Sequence, residues 1–176
     1  MDQKYTITVF GNSRAEEGQA AFQEAERLGQ MLARGGYAIA NGGYGGTMLA
    51  AARGAANAGG PVIGVTCRAF KRSGPNEYST REISTENLTE RLTALIELGD
   101  AYVVLPGGTG TLLELADVWE HKNKGFANTG KPIILVGQFW KPLAEMMAKA
   151  DPRSEQWIRM ADTPEQVLQI LNETLK

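Results

Sequence analysis

Two glycine-rich stretches carry residue types that hold anions. One is Pro106-Gly107-Gly108-Thr109-Gly110-Thr111-Leu112-Leu113-Glu114, and the other is Asn41-Gly42-Gly43-Tyr44-Gly45-Gly46-Thr47. A shorter turn is Gly11-Asn12-Ser13. Glycine lets backbone N–H groups approach a ligand closely and reach positive φ. Where such a turn opens a helix, the unpaired N–H groups and the positive end of the helix dipole favour a phosphate. Ser13, Thr47, Thr109 and Thr111 add hydroxyls. A single turn of this kind is a common way to join a strand to a helix. Two on one edge favour a phosphate or nucleotide site built from Gly11, Asn12, Ser13, Gly42, Gly43, Tyr44, Gly45 and the run Gly107, Gly108, Thr109, Gly110 and Thr111. The chain has no Gly-x-x-x-x-Gly-Lys-Ser/Thr, so it is not a P-loop NTPase. The turn at Gly11 lacks Gly-x-Gly-x-x-Gly, which disfavours a dinucleotide. A mononucleotide or sugar phosphate fits better.

Such turns need strands to end in them. Short apolar runs at Tyr5–Phe10, Tyr37–Ala40, Val62–Thr66, Ala101–Leu105 and Pro132–Val136 predict five strands. A further edge strand is predicted over Trp157–Met160. Helical periodicity covers Glu16–Arg34, Gly46–Ala58, a segment capped by Thr85 and running to Leu98, Thr111–Lys124 and Phe139–Lys149. Asp162-Thr163-Pro164-Glu165 opens a last helix, with a capping side chain, a first-turn proline and an acid at the positive dipole end. Arg68–Glu82 is polar and reads as a loop. Strands alternate with helices, and the strands are near-continuously apolar. The fold class is α/β, a single doubly wound Rossmann-like domain over residues 1–176, with a mostly parallel sheet and helices on both faces. In such sheets ligands bind outside the carboxyl ends of the strands, where the glycine turns fall.

Composition narrows the function. The chain has 176 residues and a formal net charge of −2, with no basic surplus for a nucleic-acid polymer. Glycine supplies 21 residues, well above the usual share of about 7%. One cysteine, Cys67, and one histidine, His121, exclude an intrachain disulfide and a Cys/His zinc site within one chain, so no metal is expected. No apolar run approaches membrane-spanning length, and Met1-Asp2-Gln3-Lys4 leads into a strand without a signal-peptide core. The expectation is a cytoplasmic protein with no membrane partner.

Single residues have competing readings. Glu114 falls opposite the stripe Leu112, Leu115, Ala116 and Trp119, which makes it either an exposed acid favouring the helix dipole or a carboxylate beside a bound sugar. Arg91 flanks the stripe Leu88, Leu92, Leu95 and Ile96, as a snorkelling side chain or as a guanidinium aimed into the cleft. Tyr44, set between glycines, is exposed and placed to stack on a base, whereas Trp119 and Trp140 read as core. Arg68, Lys71, Arg72 and Arg81 read as a solvated loop, or as cations closing over a substrate. His121, Lys122 and Lys124 read as favourable charges at a helix C-terminus, and Cys67 as core.

The run Pro106 to Glu114 resembles the Pro-Gly-Gly-x-Gly-Thr-x-x-Glu signature of the LOG ("Lonely Guy") family, long labelled "lysine decarboxylase". Phe10-Gly11-Asn12-Ser13 is similar to the first turn of that family, and Asn41 to Met48 to its second. Glu90-Arg91 sits where the family has Glu-Arg-Lys, and Asp162 to Glu165 matches its last helix start. The chain departs from the pattern at Leu92, in place of lysine, and at Asn41, in place of the first glycine. The resemblance implies a nucleoside 5′-monophosphate phosphoribohydrolase that releases free base and ribose 5-phosphate from AMP or a cytokinin nucleotide. It implies Arg91 and Glu114 as catalytic residues, Gly107–Thr111 as the phosphate loop, no cofactor, and a homodimer or higher homo-oligomer. The alternative within the same fold is a carrier that binds a nucleotide or molybdenum cofactor without turnover. Lysine decarboxylation needs a lysine bound to pyridoxal phosphate, and no strand-and-loop context marks one.

Overall fold

β1 (Thr6–Phe10) has neighbours on both sides and begins the chain's path through the sheet. In the computed structural model, which describes residues 5–72, 74–126 and 130–175, it is followed by α1 (Ala20–Arg34), β2 (Ala38–Asn41), α2 (Thr47–Asn57) and β3 (Val62–Cys67). Then come β4 (Arg81–Thr85), α3 (Leu88–Leu98), β5 (Ala101–Val104), α4 (Thr109–Asn123), β6 (Ile133–Val136), α5 (Lys141–Ala150), β7 (Ile158–Ala161) and α6 (Pro164–Thr174). The strands form one sheet in the order β4-β3-β2-β1-β5-β6-β7, and every pair is parallel. The α/β architecture is as the alternation predicts.

Two apolar layers cover the sheet. On one face Phe22, Ala25, Leu28 and Leu32 of α1, the alanines of α2, and Val167 and Leu171 of α6 pack on Ile7, Val9 and Ile39. On the other, Leu95 and Ile96 of α3, Leu115, Val118 and Trp119 of α4, and Trp140 pack on Phe10, Tyr102 and Val104. β1, β5 and β6 are thus buried on both sides; β5 and β6 are apolar or aromatic throughout, and in β1 the buried Thr8 hydroxyl donates to Leu95 O (2.9 Å).

β4 departs from the sequence reading. Its residues Arg81–Thr85 fall in and just after the segment expected to be a loop, yet they pair with β3 from Ile63↔Arg81 to Cys67↔Thr85. It is an edge strand with one buried residue, so its charged sequence lacks the apolar run of the central strands and protects the edge from further pairing. Thr80 Oγ1 accepts from Val62 N (3.0 Å), and Thr85 Oγ1 donates to Thr66 O (2.7 Å), fixing both ends. Thr85 is therefore not the cap of α3. Asn87 is, accepting from Glu90 N at 3.0 Å, while Glu90 accepts from Glu86 N at 2.9 Å.

Strand order reverses at β1, with β2 on one side and β5 on the other. The chain leaves these neighbours in opposite directions, and a crevice opens at their carboxyl ends.

Candidate active site

Three turns meet above that crevice and are tied by their own backbones. Asn12 O accepts from Thr47 N (2.8 Å), joining the turn after β1 to the start of α2. Thr111 Oγ1 donates to Gly11 O (2.9 Å), joining it to α4. Neither helix start has a side-chain cap: Gly46 precedes α2 and Gly108 precedes α4. Gly46 has φ +67°, and a Cβ there would lie 2.0 Å from Asn12 O, so this junction closes only with glycine. α4 begins at Thr109, ahead of the expected Thr111, and its open first turn faces the crevice.

The crevice is a cleft of about 770 Å3 lined by Gly11, Asn12, Ser13, Gly107 to Thr111, Tyr44, Arg91 and Glu114 among the residues singled out from sequence. Gly42, Gly43 and Gly45 are not in its lining. Gly42 instead makes room for a protein side chain, because a Cβ on it would lie 1.8 Å from Arg91 Nη2. Asn41 fastens this turn, donating from Nδ2 to Met48 O (3.1 Å) and accepting from Gly43 N (2.8 Å).

Arg91 and Glu114 are both buried, at 6% and 8% exposure. The arginine neither snorkels nor reaches solvent: its Nε donates to Val65 O at 2.9 Å, and Nη1 lies 3.4 Å from Glu114 Oε1. The rings of Tyr44 and Phe70 flank its Cζ, with centroids at 5.8 and 5.7 Å. Glu114 is likewise not the exposed acid that the helical wheel allows. The first turns of α4 line the cleft: Glu114 is buried against it while Leu112 and Leu113 are exposed. Burial pushes the Glu114 carboxyl up to about 7, against the pull of Arg91. At neutral pH this group both gives and takes a proton, the property a general acid or base needs.

Tyr44 is buried rather than exposed. Its hydroxyl accepts from Cys67 N at 2.8 Å, and its ring edges the cleft beside Arg91. Trp119 and Trp140 are core as expected, donating to Ser154 O and Leu105 O. Lys122 is buried, not a surface charge. Sequence reasoning gave no part in the lining to Arg14, Phe70, Leu88, Leu92, Leu113 and Phe139, and only a secondary reading to Arg72. The signal available for Phe70 and Arg72 is their position just past the exit of β3, on the same sheet edge as the glycine turns. Among the described residues no group of three His, Cys, Asp or Glu is placed to hold a metal ion.

Residues 48–171 match the family model described as "Possible lysine decarboxylase". The chain is 30% identical over 153 residues to a "Cytokinin riboside 5'-monophosphate phosphoribohydrolase" of Rhodococcoides fascians, spanning 82% of this chain and 75% of that protein. The chain belongs to the LOG family. A Mycobacterium tuberculosis protein of the same name is 31% identical over 134 residues, covering 75% of this chain and 70% of that one. Among solved structures, the molybdenum cofactor binding protein of Rippkaea orientalis superposes with TM-score 0.80 at 24% identity over 100% of both chains. The molybdenum cofactor carrier protein of Chlamydomonas reinhardtii gives 0.75 at 22%, over 98% of this chain and 99% of that one. At these identities the likeness is one of fold. The LOG fold therefore accommodates proteins named as hydrolases and proteins named as carriers, and the contents of the cleft must distinguish them.

Proposed function

We propose that this LOG-family chain is a nucleoside 5′-monophosphate phosphoribohydrolase, with residues 1–176 acting as one nucleotide-binding domain in the cytoplasm. The observation that carries the reading is the buried Arg91–Glu114 pair, set one helical turn beyond the Gly107–Thr111 turn and facing the same cleft. Phosphate sits on the open start of α4, helped by Ser13 and the turn after β1. The ribose then lies beside Glu114. Breaking the N-glycosidic bond leaves its electron pair on the base and builds positive charge on the sugar ring. The Glu114 carboxylate stabilises that charge and takes a proton from the attacking water, whose oxygen bonds to the anomeric carbon. Arg91 faces the departing base, whose negative charge it offsets before the base takes up a proton.

The working form is a homodimer or higher homo-oligomer. Leu88, Leu112, Leu113 and Phe139 are 38–56% exposed at or beside the cleft mouth, where a second copy covers them.

The carrier reading has one observation in its favour. Leu92, in place of the lysine of the family's Glu-Arg-Lys, puts an apolar side chain in the cleft lining. The deciding assay incubates pure protein with AMP and, separately, with a cytokinin nucleotide, and measures free base by chromatography. Base released by the wild type and not by Glu114→Gln is the expected result. Ligand-dependent melting shifts with no base from either substrate would replace the hydrolase with the carrier.

A further inference from the structure

The phosphate and sugar ends of the cleft are built by turns and helices that the family signature covers, but its far end is built by a segment outside that signature. After β3 a 3-10 turn spans Arg68–Phe70, and Lys71 follows with φ +53°, the one non-glycine residue with positive φ among the described residues. A left-handed lysine is strained, and such strain collects where side-chain placement matters. Here it separates Phe70 from Arg72, and both line the cleft. The Phe70 ring centroid lies 6.0 Å from that of Tyr44, and the Arg72 guanidinium carbon lies 5.1 Å from the Tyr44 ring centroid. Phe70 is 40% exposed, too open for a core role. Among the described residues no ion pair engages Arg72.

Contacts along the cleft give a linear order. The Gly107–Thr111 turn leads to Glu114, Glu114 meets Arg91, Arg91 meets the Phe70 and Tyr44 rings, and the Tyr44 ring meets Arg72. The two ends leave the sheet at β5 and β3, three strand spacings or roughly 14 Å apart. A nucleoside monophosphate has the same order: phosphate, ribose, glycosidic bond, planar base. Resting on the nucleotide reading above, we infer that Phe70 and Arg72 bind the base, the ring by stacking and the guanidinium by stacking or hydrogen bonding at a base edge. They are specificity-determining residues and have no contact with the phosphate.

Calorimetry with two ligands tests this, in the Glu114→Gln background so that AMP is not consumed. Ribose 5-phosphate is the base-free probe. Phe70→Ala is expected to weaken AMP about tenfold and Arg72→Ala about fivefold, the loss of one stacking partner, with ribose 5-phosphate affinity unchanged within about twofold. Both side chains are exposed, so unchanged melting temperatures verify the fold. Equal weakening of both ligands, or no weakening of AMP, overturns the assignment while leaving the nucleotide reading in place. Binding of ribose 5-phosphate with no binding of AMP by the parent protein removes the nucleotide reading and the base site with it.

Discussion

The two glycine-rich turns look alike in composition and work differently. The turn after β5 opens on the cleft: a Cβ on Gly108 or Gly110 would meet nothing within 4 Å. The turn after β2 is closed: Gly42 is filled by the Arg91 guanidinium, and Gly43, at φ +74°, packs against Gly64 of β3. One turn leaves Gly108 and Gly110 open to the cleft, and the other fits Gly42 around a protein side chain that lines the cleft. Glycine reports that something comes close to the backbone, and only the fold says what.

Four experiments test this contrast. Gly42→Ala has the largest expected effect, because its methyl must displace Arg91. Base release should fall about a hundredfold or more through kcat, with stability lowered by roughly 1–3 kcal/mol for overpacking. Unchanged kcat would show that Arg91 has no part in the reaction.

The pH profile comes next. With Glu114 raised to about 7 and active as the carboxylate, kcat/KM should climb about tenfold per pH unit below 7 and level off above it. A flat profile between pH 5 and 8 would remove Glu114 as the base. The same group leaves a mark on stability. Its native pKa lies above the ordinary 4.5, so the native state holds a proton the unfolded state releases. That contribution is complete below about 4.5 and is lost as pH rises through about 7. Glu114→Gln should lack this loss in urea melts at pH 5 and pH 8.

Gly110→Ala tests the open turn. Its methyl enters ligand space, so KM should rise about tenfold, while the melting temperature holds or rises slightly because alanine suits a helix better than glycine. A destabilised protein with normal KM would reverse the roles of the two turns. Asn41→Gly, which restores the residue type usual in the family, has the smallest effect. It removes two buried hydrogen bonds and should cost about 1–2 kcal/mol in chemical denaturation, with turnover within about twofold. A large gain in turnover would instead mean that Asn41 holds the site in a weakened form.

The legible part of the fold is the part buried on two faces. β5 and β6 announce themselves by continuous apolar runs and β1 by its β-branched and aromatic residues, and glycine turns mark the exits of β1 and β5. β4 does not, because an edge strand with charged side chains has the composition of a loop. Glu114 is named by the signature and Arg91 by the Glu-Arg match, but their burial is not. A helical wheel scores only a helix's own apolar stripe, and the first turns of α4 line the cleft. Tyr44 misleads for a related reason: a residue among glycines reads as exposed, yet its hydroxyl serves Cys67 N and its ring closes over Arg91.

The placement of β4 at the margin of the sheet also bears on how such a protein changes over generations. The end of the cleft proposed to hold phosphate is made by backbone emerging from the middle of the sheet, where an insertion would dislocate strands on both sides. Phe70 and Arg72 belong to a connection whose far end is held by one neighbouring strand only. Asn76 ties that connection to the turn after β2, donating from N to Gly43 O (2.6 Å), so a change of length ahead of Asn76 costs little chain entropy. On the proposed assignment, a lineage exchanges one base for another there by splicing a loop, with the proposed phosphate turn unchanged.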